Sequence, residues 1–352
     1  MKRLFTILIA LAMFASCAAA LAEEAPLHLG YITQAGEADR WHSLCAGAFA
    51  YAAEQNGAVT TILTYDPAEE ETSEDAESEE PMPLGLKELV ELIEAGVDGV
   101  AVAPASLEQA QALIAYASEA GVPIVIEGLD VSSAYPLAGE AETDPDALRP
   151  YVAAVGYGDS AAYAASKWLE DRAYNPMMMH CALHDVDSAG MRRALSSARY
   201  LSLAHEIDAS EDSVQAGRDA VGAMYSSFTM FGCVLADSVA LAEGCAAAIQ
   251  SAGDNYPVAA IASSPEALEL LRAGKINMVA AAPASVEGVQ TFKALFDFVS
   301  DGTLPETETG FVQLNAITAT VNNTSAWIDS DDFEAAYALV YPELAEDSET
   351  DE

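Results

Sequence analysis

The chain has 352 residues, 52% of them hydrophobic and 8% aromatic, which is enough for a packed core in about two domains. Acidic residues number 56 against 14 basic ones, a net charge of −42. A surface that negative repels nucleic-acid phosphates and anionic lipid head groups, so those partners are excluded and the charge reads as a solubility device of an exported chain.

The start is a targeting segment. Lys2 and Arg3 precede an apolar stretch over residues 4–14 that is too short to span a bilayer, so residues 1–22 read as a signal peptide. Two cleavage points compete. Ala20-Leu21-Ala22 fits the small-x-small rule, whereas Phe14-Ala15-Ser16-Cys17 resembles a lipobox with Cys17 as the lipidated residue. The mature protein is then lipid-anchored at the outer face of the membrane, or free in the periplasm or extracellular space. Cys45, Cys181, Cys233 and Cys245 show no CxxC or Cys/His zinc spacing. They read as buried free thiols, with a disulfide as the alternative in an exported chain.

Residues 27–33 read as a first strand, 41–56 as an Ala-rich helix ended by Gly57, and 59–65 as a β-branched second strand. Residues 66–80 carry nine acidic side chains and no basic one. They cannot build a core and are expected to be a solvated insert. Leu86, Leu89, Val90 and Ile93 then fall on one helical face, Gly96 stops that helix, and Val100 to Ala103 form a short buried strand. A helix is expected over 107–120, a strand over 123–127, a polar stretch over 132–151, a strand over 152–155, and a helix from Asp159 to Asp171. In the second half strands are expected near 177–183, 232–236, 258–262 and 278–281, and helices near 188–203, 212–224, 238–252, 265–273 and 287–300. Late extended segments at 311–315 and 319–321, a terminal helix at 333–340 and an acidic tail at 343–352 complete the chain. The alternation predicts an α/β fold of two similar lobes, each a parallel sheet flanked by helices. Residues 271–285 repeat the wording of 86–106: helix, Ala-Gly, strand, then Ala-Pro-Ala-Ser where the first copy has Ala-Pro-Ala-Ser.

These units, in this order, resemble the type I periplasmic binding proteins, the ribose-binding-like class that feeds ABC importers. The resemblance rests on LIEAGVDGVAVAP, on Gly156-Tyr157-Gly158-Asp159-Ser160, on Asp237-Ser238-Val239-Ala240-Leu241-Ala242, on Pro265-Glu266-Ala267-Leu268 with Arg272-Ala273-Gly274-Lys275-Ile276, and on Ile317-Thr318-Ala319-Thr320-Val321-Asn322-Asn323. It implies a three-crossover hinge near Gly156, Pro283 and Leu304-Pro305. Lobe 1 would be residues 26–156 plus 283–305, and lobe 2 residues 157–282 plus 306–342. It implies a small polar, sugar-like ligand held by Gln34, Arg40, Trp41, Ser106, Glu127 and Asp130 on one side and by His184, Arg192 and Asp237 on the other. Ala236, Ala262 and Ala281 stand where the family carries hydrogen-bonding side chains, so the second side is expected to hold hydroxyls poorly.

The partners expected are therefore a small-molecule ligand and an ABC permease, the chain being a monomer without cofactor, metal or catalytic residues. The alternative is a ligand-sensing module of the same fold that signals to a membrane receptor kinase. Each candidate has a plainer reading: Trp41 as packing, Arg40 as a surface ion pair, Glu127 and Asp130 as turn residues, Asp237 as a helix cap. Glu127 with Asp130 as an acid/base pair lacks a second placed catalytic group. Gly156-x-Gly158-x-x-Ala161 is too short a signal for a dinucleotide loop.

Overall fold

The computed structural model describes residues 25–35, 40–66, 83–131, 151–183, 192, 195–227, 230–307, 309–324 and 327–342. The signal peptide with Cys17, most of the 66–80 insert, His184 and the 343–352 tail lie outside them.

Short apolar runs alternating with helices build two six-stranded sheets. The first contains β1 (His28–Gln34), β2 (Val59–Tyr65), β3 (Gly99–Val102), β4 (Ile124–Glu127), β5 (Tyr151–Gly156) and β11 (Phe311–Gln313). They are all parallel, in the spatial order β11-β5-β4-β3-β1-β2. With them run α1 (Arg40–Gln55), α2 (Leu86–Glu94) and α3 (Leu107–Ala120). The second sheet contains β6 (Met177–Leu183), β7 (Ser202–Ala209), β8 (Cys233–Ala236), β9 (Val258–Ile261), β10 (Met278–Ala281) and β12 (Ile317–Thr320). Its order is β12-β10-β9-β8-β6-β7, parallel except that β12 runs against β10. It carries α4 (Ser160–Arg172), α5 (Val214–Ser226), α6 (Val239–Ser251) and α7 (Pro265–Arg272). The last two helices, α8 (Ala284–Asp301) and α9 (Phe333–Val340), pack on α1 in the first lobe.

Both faces of each sheet are covered, which is why the central strands are apolar throughout rather than alternating. In the first lobe Tyr31, Phe49, Phe292 and Leu295 fill the α1/α8 side, and Ile32, Leu89, Leu113 and Ile126 the α2/α3 side. In the second, Val221, Leu241, Cys245 and Leu271 oppose Ala165, Leu169 and Met178. Gly288 lets α8 press against α1, because a Cβ there would run into the Cys45 carbonyl.

Several expectations change. The stretch expected as a helix to residue 203 becomes β7 from Ser202. That strand lies at the sheet edge with His205, Glu206 and Asp208 among its residues, so it carries no apolar run to mark it. Residues 306–342 do not all join the second lobe. Phe311–Gln313 pairs with β5 in the first sheet, and α9 packs on α1 and α8. The third crossing is therefore at residues 314–316 rather than Leu304-Pro305, and the chain crosses back before α9. The repeat of 86–106 at 271–285 also joins unlike places. By sheet position β3 corresponds to β8, and β10 corresponds to β5. Accordingly Ser106 caps α3, whereas Ser285 lies inside α8 and donates to the Asp329 carbonyl at 3.2 Å. The serine equivalent to Ser106 is Ser238, which caps α6 by accepting from Leu241 N.

Candidate functional site

In each sheet the strand order reverses beside the first strand, between β1 and β3 and between β6 and β8. A crevice opens at such switch points, beyond the carboxyl ends of the strands. The two crevices are furnished differently.

In the first lobe Glu127 ends β4 and points to the same side of the sheet as Tyr31, toward α1 and α8. It is 1% exposed, and its Oε1 accepts a 2.6 Å hydrogen bond from the Tyr31 hydroxyl. His42 in the first turn of α1 brings Nδ1 to 3.8 Å from that oxygen. Glu287, in the first turn of α8, is 2% exposed. Burial, and then the charge of Glu127, hold the Glu287 carboxyl well above the usual carboxylate range. Burial and Glu127 likewise push the Tyr31 phenol up. Glu127 Oε2, Glu287 Oε1, Thr33 Oγ1 and Thr291 Oγ1 are buried without a hydrogen-bond partner. A buried acceptor left unpaired costs roughly 1–3 kcal/mol, so four in one layer form an energetic defect. The positive ends of α1 and α8 meet in this corner and favour negative charge there. Among the described residues no lysine or arginine pairs with either carboxylate.

Aromatic rings border the same corner. Trp41, half-buried, stands edge-to-face with Tyr157 at 6.5 Å. Tyr157 follows β5 on the first crossing, and its hydroxyl donates to the Pro283 carbonyl on the second at 3.3 Å. Burial, then the charge of Glu287, push its phenol up. Gly128 turns the chain directly after Glu127 with φ +78°, where a side chain would be strained, and a Cβ there would lie 3.6 Å from Glu287 Oε1.

The other first-lobe candidates are placed less tightly. Gln34 is half-buried at the end of β1. Arg40 opens α1, but its side chain lies outside the described ones. Ser106 is exposed, and its Oγ accepts from Gln109 N at 3.1 Å as the cap of α3. Asp130 is exposed and close enough to Tyr151 to reinforce, after burial, the rise of that phenol. It is not drawn into the corner with Glu127.

In the second lobe the expected residues Arg192 and Asp237 are linked through His180 and Glu206. His180, 1% exposed, places Nε2 at 2.8 Å from Asp237 Oδ1 and Nδ1 at 3.3 Å from Glu206 Oε2. Arg192 is exposed and donates to Glu206 Oε1 at 2.6 Å. Leu183 N donates to Asp237 Oδ2 at 3.2 Å. Burial opposes the charged imidazole, yet the two carboxylates outweigh it and raise its pKa. A carboxylate oxygen faces each ring nitrogen, an arrangement that favours the protonated ring. Asp237 also borders a cavity of about 640 Å³ reaching from Leu183 and Ala262 to Lys275. A second cavity, about 370 Å³, lies at the opposite strand ends around Val258 and Asn277, away from the crevice. Ala236 and Ala281 are fully buried.

The sheet orders and the crossings decide the architecture. The chain has the type I periplasmic-binding-protein fold. Solved structures agree. A periplasmic ribose ABC transporter protein from Conexibacter woesei superposes with a TM-score of 0.61 at 14% identity, over 85% of this chain and 93% of that one. A solute-binding protein from Bacillus halodurans with bound myo-inositol gives 0.57 at 15% identity, over 90% and 100%. One from Actinobacillus succinogenes with bound D-allose gives 0.58 at 12% identity, over 84% and 98%. No protein-family model matches the sequence, and no curated protein does. These neighbours are binding proteins. At such identities the likeness is one of fold.

The residues missed from sequence are Tyr31, His42, Tyr157 and Glu287. Glu287 did carry a signal, as a lone acid in the apolar run Ala284-Ser285-Val286-Glu287-Gly288-Val289. A carboxylate on a buried helix face needs a reason.

Proposed function

We propose that this is an exported solute-binding protein. It captures a small polar ligand of about sugar size between its lobes, performs no chemistry on it, and delivers it to an ABC permease. The observation that carries this reading is the unsatisfied layer of acids and threonines, bordered by aromatic rings, at the first sheet's switch point, in a fold whose solved neighbours hold sugars and polyols. Buried acceptors without partners fit a surface that is completed by ligand donors. The crossings at Tyr157, Pro283 and residues 314–316 supply the hinge on which the lobes close over ligand. The closed form is what a permease would recognise. Trp41 and Glu127 are the principal contacts on this reading. Gln34, Arg40, Asp130 and His184 are supporting ones, while Ser106, Arg192 and Asp237 act first as scaffold. The protein is expected to work as a monomer, lipid-anchored through Cys17 or released.

A thermal-shift screen of pentoses, hexoses, polyols, nucleosides and amino acids tests the proposal. A rise in melting temperature with at least one class is expected. No rise with any compound counts against solute binding.

A further inference from the structure

We propose that the ligand of this site carries an ammonium group, and that this group seats against the Glu127–Glu287 carboxyl pair. The inference rests on the solute-binding reading and narrows its ligand from polar to cationic.

Glu127 Oε2 and Glu287 Oε1 are both buried and unpartnered, in residues 1% and 2% exposed. Thr33 Oγ1 and Thr291 Oγ1 are orphaned on the same side of the first sheet. A neutral hydroxyl donates one proton and presents lone pairs that would meet further oxygens. An ammonium donates three and presents none. It also supplies the positive charge that two buried carboxyls need and that no described lysine or arginine brings. Trp41 and Tyr157 border the position, and aromatic faces attract ammonium groups. A surface of net charge −42 raises the local concentration of cations and speeds their arrival. The second lobe agrees by omission: Ala236, Ala262 and Ala281 offer no side-chain hydrogen bonds to a ring of hydroxyls.

Without ligand, burial and the charge of Glu127 favour the protonated form of Glu287. Among the described residues the titratable groups facing the pair are Tyr31 from β1, His42 and Cys45 from α1, Glu127 from β4, Tyr157 from the first crossing and Glu287 from α8. Both phenols hold their protons more firmly than free tyrosine. An ammonium seated beside the pair favours the ionised carboxyls, so binding draws the Glu287 pKa down, and any proton the carboxyl gives up leaves to solvent. Apparent affinity rises with pH until the carboxyl is ionised in the free protein.

The test uses matched probes: D-glucosamine against D-glucose, D-galactosamine against D-galactose, and 2-amino-1,3-propanediol against glycerol. Calorimetry in two buffers of different ionisation heat counts protons released. An amino member is expected to bind about tenfold or more tightly than its neutral partner, the scale of one hydrogen bond to a charged group, with release of a proton. Both the preference and the release should vanish in Glu287→Gln, whose fold is checked by its melting transition. Glu127→Gln, the second variant, should also lose the preference. Equal binding of neutral and amino members overturns the inference and leaves solute binding intact. A preference that persists in both variants also overturns it. Binding by none of the probes, with none from the wider screen, removes both.

Discussion

The two lobes share a sheet order and differ in how they treat charge at the switch point. In the second, His180, Asp237, Glu206 and Arg192 close a network in which each charge has a partner. In the first, Glu127 and Glu287 are more deeply buried than the second lobe's carboxylates and leave oxygens unpaired. A satisfied buried network fixes geometry, whereas an unsatisfied one stores a cost that only an incoming group relieves. By that criterion we propose the second lobe as scaffold and the first as the binding face.

The largest expected effect breaks the satisfied side. His180→Leu leaves Asp237 and Glu206 facing each other without the imidazolium. Removing one partner of a buried charged pair costs about 3–5 kcal/mol, which equilibrium urea unfolding would record. A loss below about 1 kcal/mol would mean that the network is not the second lobe's keystone.

The same change in the first lobe should have the opposite sign. Glu287→Gln removes the group that must stay protonated, so the ligand-free protein should gain on the order of 1–2 kcal/mol. A site that stores strain for binding typically yields such a gain when relieved. Measured as a shift in melting temperature, this is about 2–8 °C for a domain of this size. A lower melting temperature would show that Glu287 supports the fold.

The pH dependence follows from both lobes with one sign. His180 has a raised pKa in the folded state, so its contribution is complete below about pH 6.5, its ordinary value. That contribution is lost as pH climbs through the folded value. Glu287 is also raised when folded. Above about pH 4.3 the unfolded chain ionises it freely while the fold does not. Stability should therefore fall between about pH 5 and pH 8. The fall should shrink in Glu287→Gln and shrink further when His180 is also replaced. Unfolding free energies measured across that range decide this, and a flat profile would contradict both assignments.

How much of this was legible in the sequence follows the same divide. The sheets were legible because buried parallel strands read as apolar runs between amphipathic helices, as Val100 to Ala103 does after Leu86 and Leu89. β7 was not, because an edge strand half in water needs no such run. The likeness of 86–106 to 271–285 was real as wording and misleading as topology. Ala-Pro-Ala-Ser serves any strand that ends in a turn, and Ser106 and Ser285 end in different roles. The place of Glu127 at the end of a strand was legible. Its pairing with Glu287 was not, because the two are 160 residues apart and only folding brings α8 against β4. Arg192 and Asp237 were candidates because they stand where the resembled family carries ligand residues. Their partner His180 lies inside a strand.

A smaller effect separates stacking from packing at Trp41. The ring touches Tyr157 and the α1 core but is half-buried, so Trp41→Ala should cost little stability. It should weaken ligand about tenfold, roughly the worth of a ring over a cation or sugar face. Unchanged affinity would return Trp41 to packing.

The smallest effect is the most discriminating for the lobes. Arg192 is exposed, and its pairing with Glu206 is a surface ion pair of about 0–1 kcal/mol. Arg192→Ala should leave stability nearly unchanged, because His180 still holds Glu206 from the other side. It should leave ligand affinity unchanged as well, because the guanidinium is already engaged. An affinity loss of about tenfold without loss of stability would show that Arg192 leaves Glu206 for the ligand. The second lobe would then regain the binding role that its sequence suggests, and the contrast between a satisfied scaffold and an unsatisfied binding face would hold only for the ligand-free state.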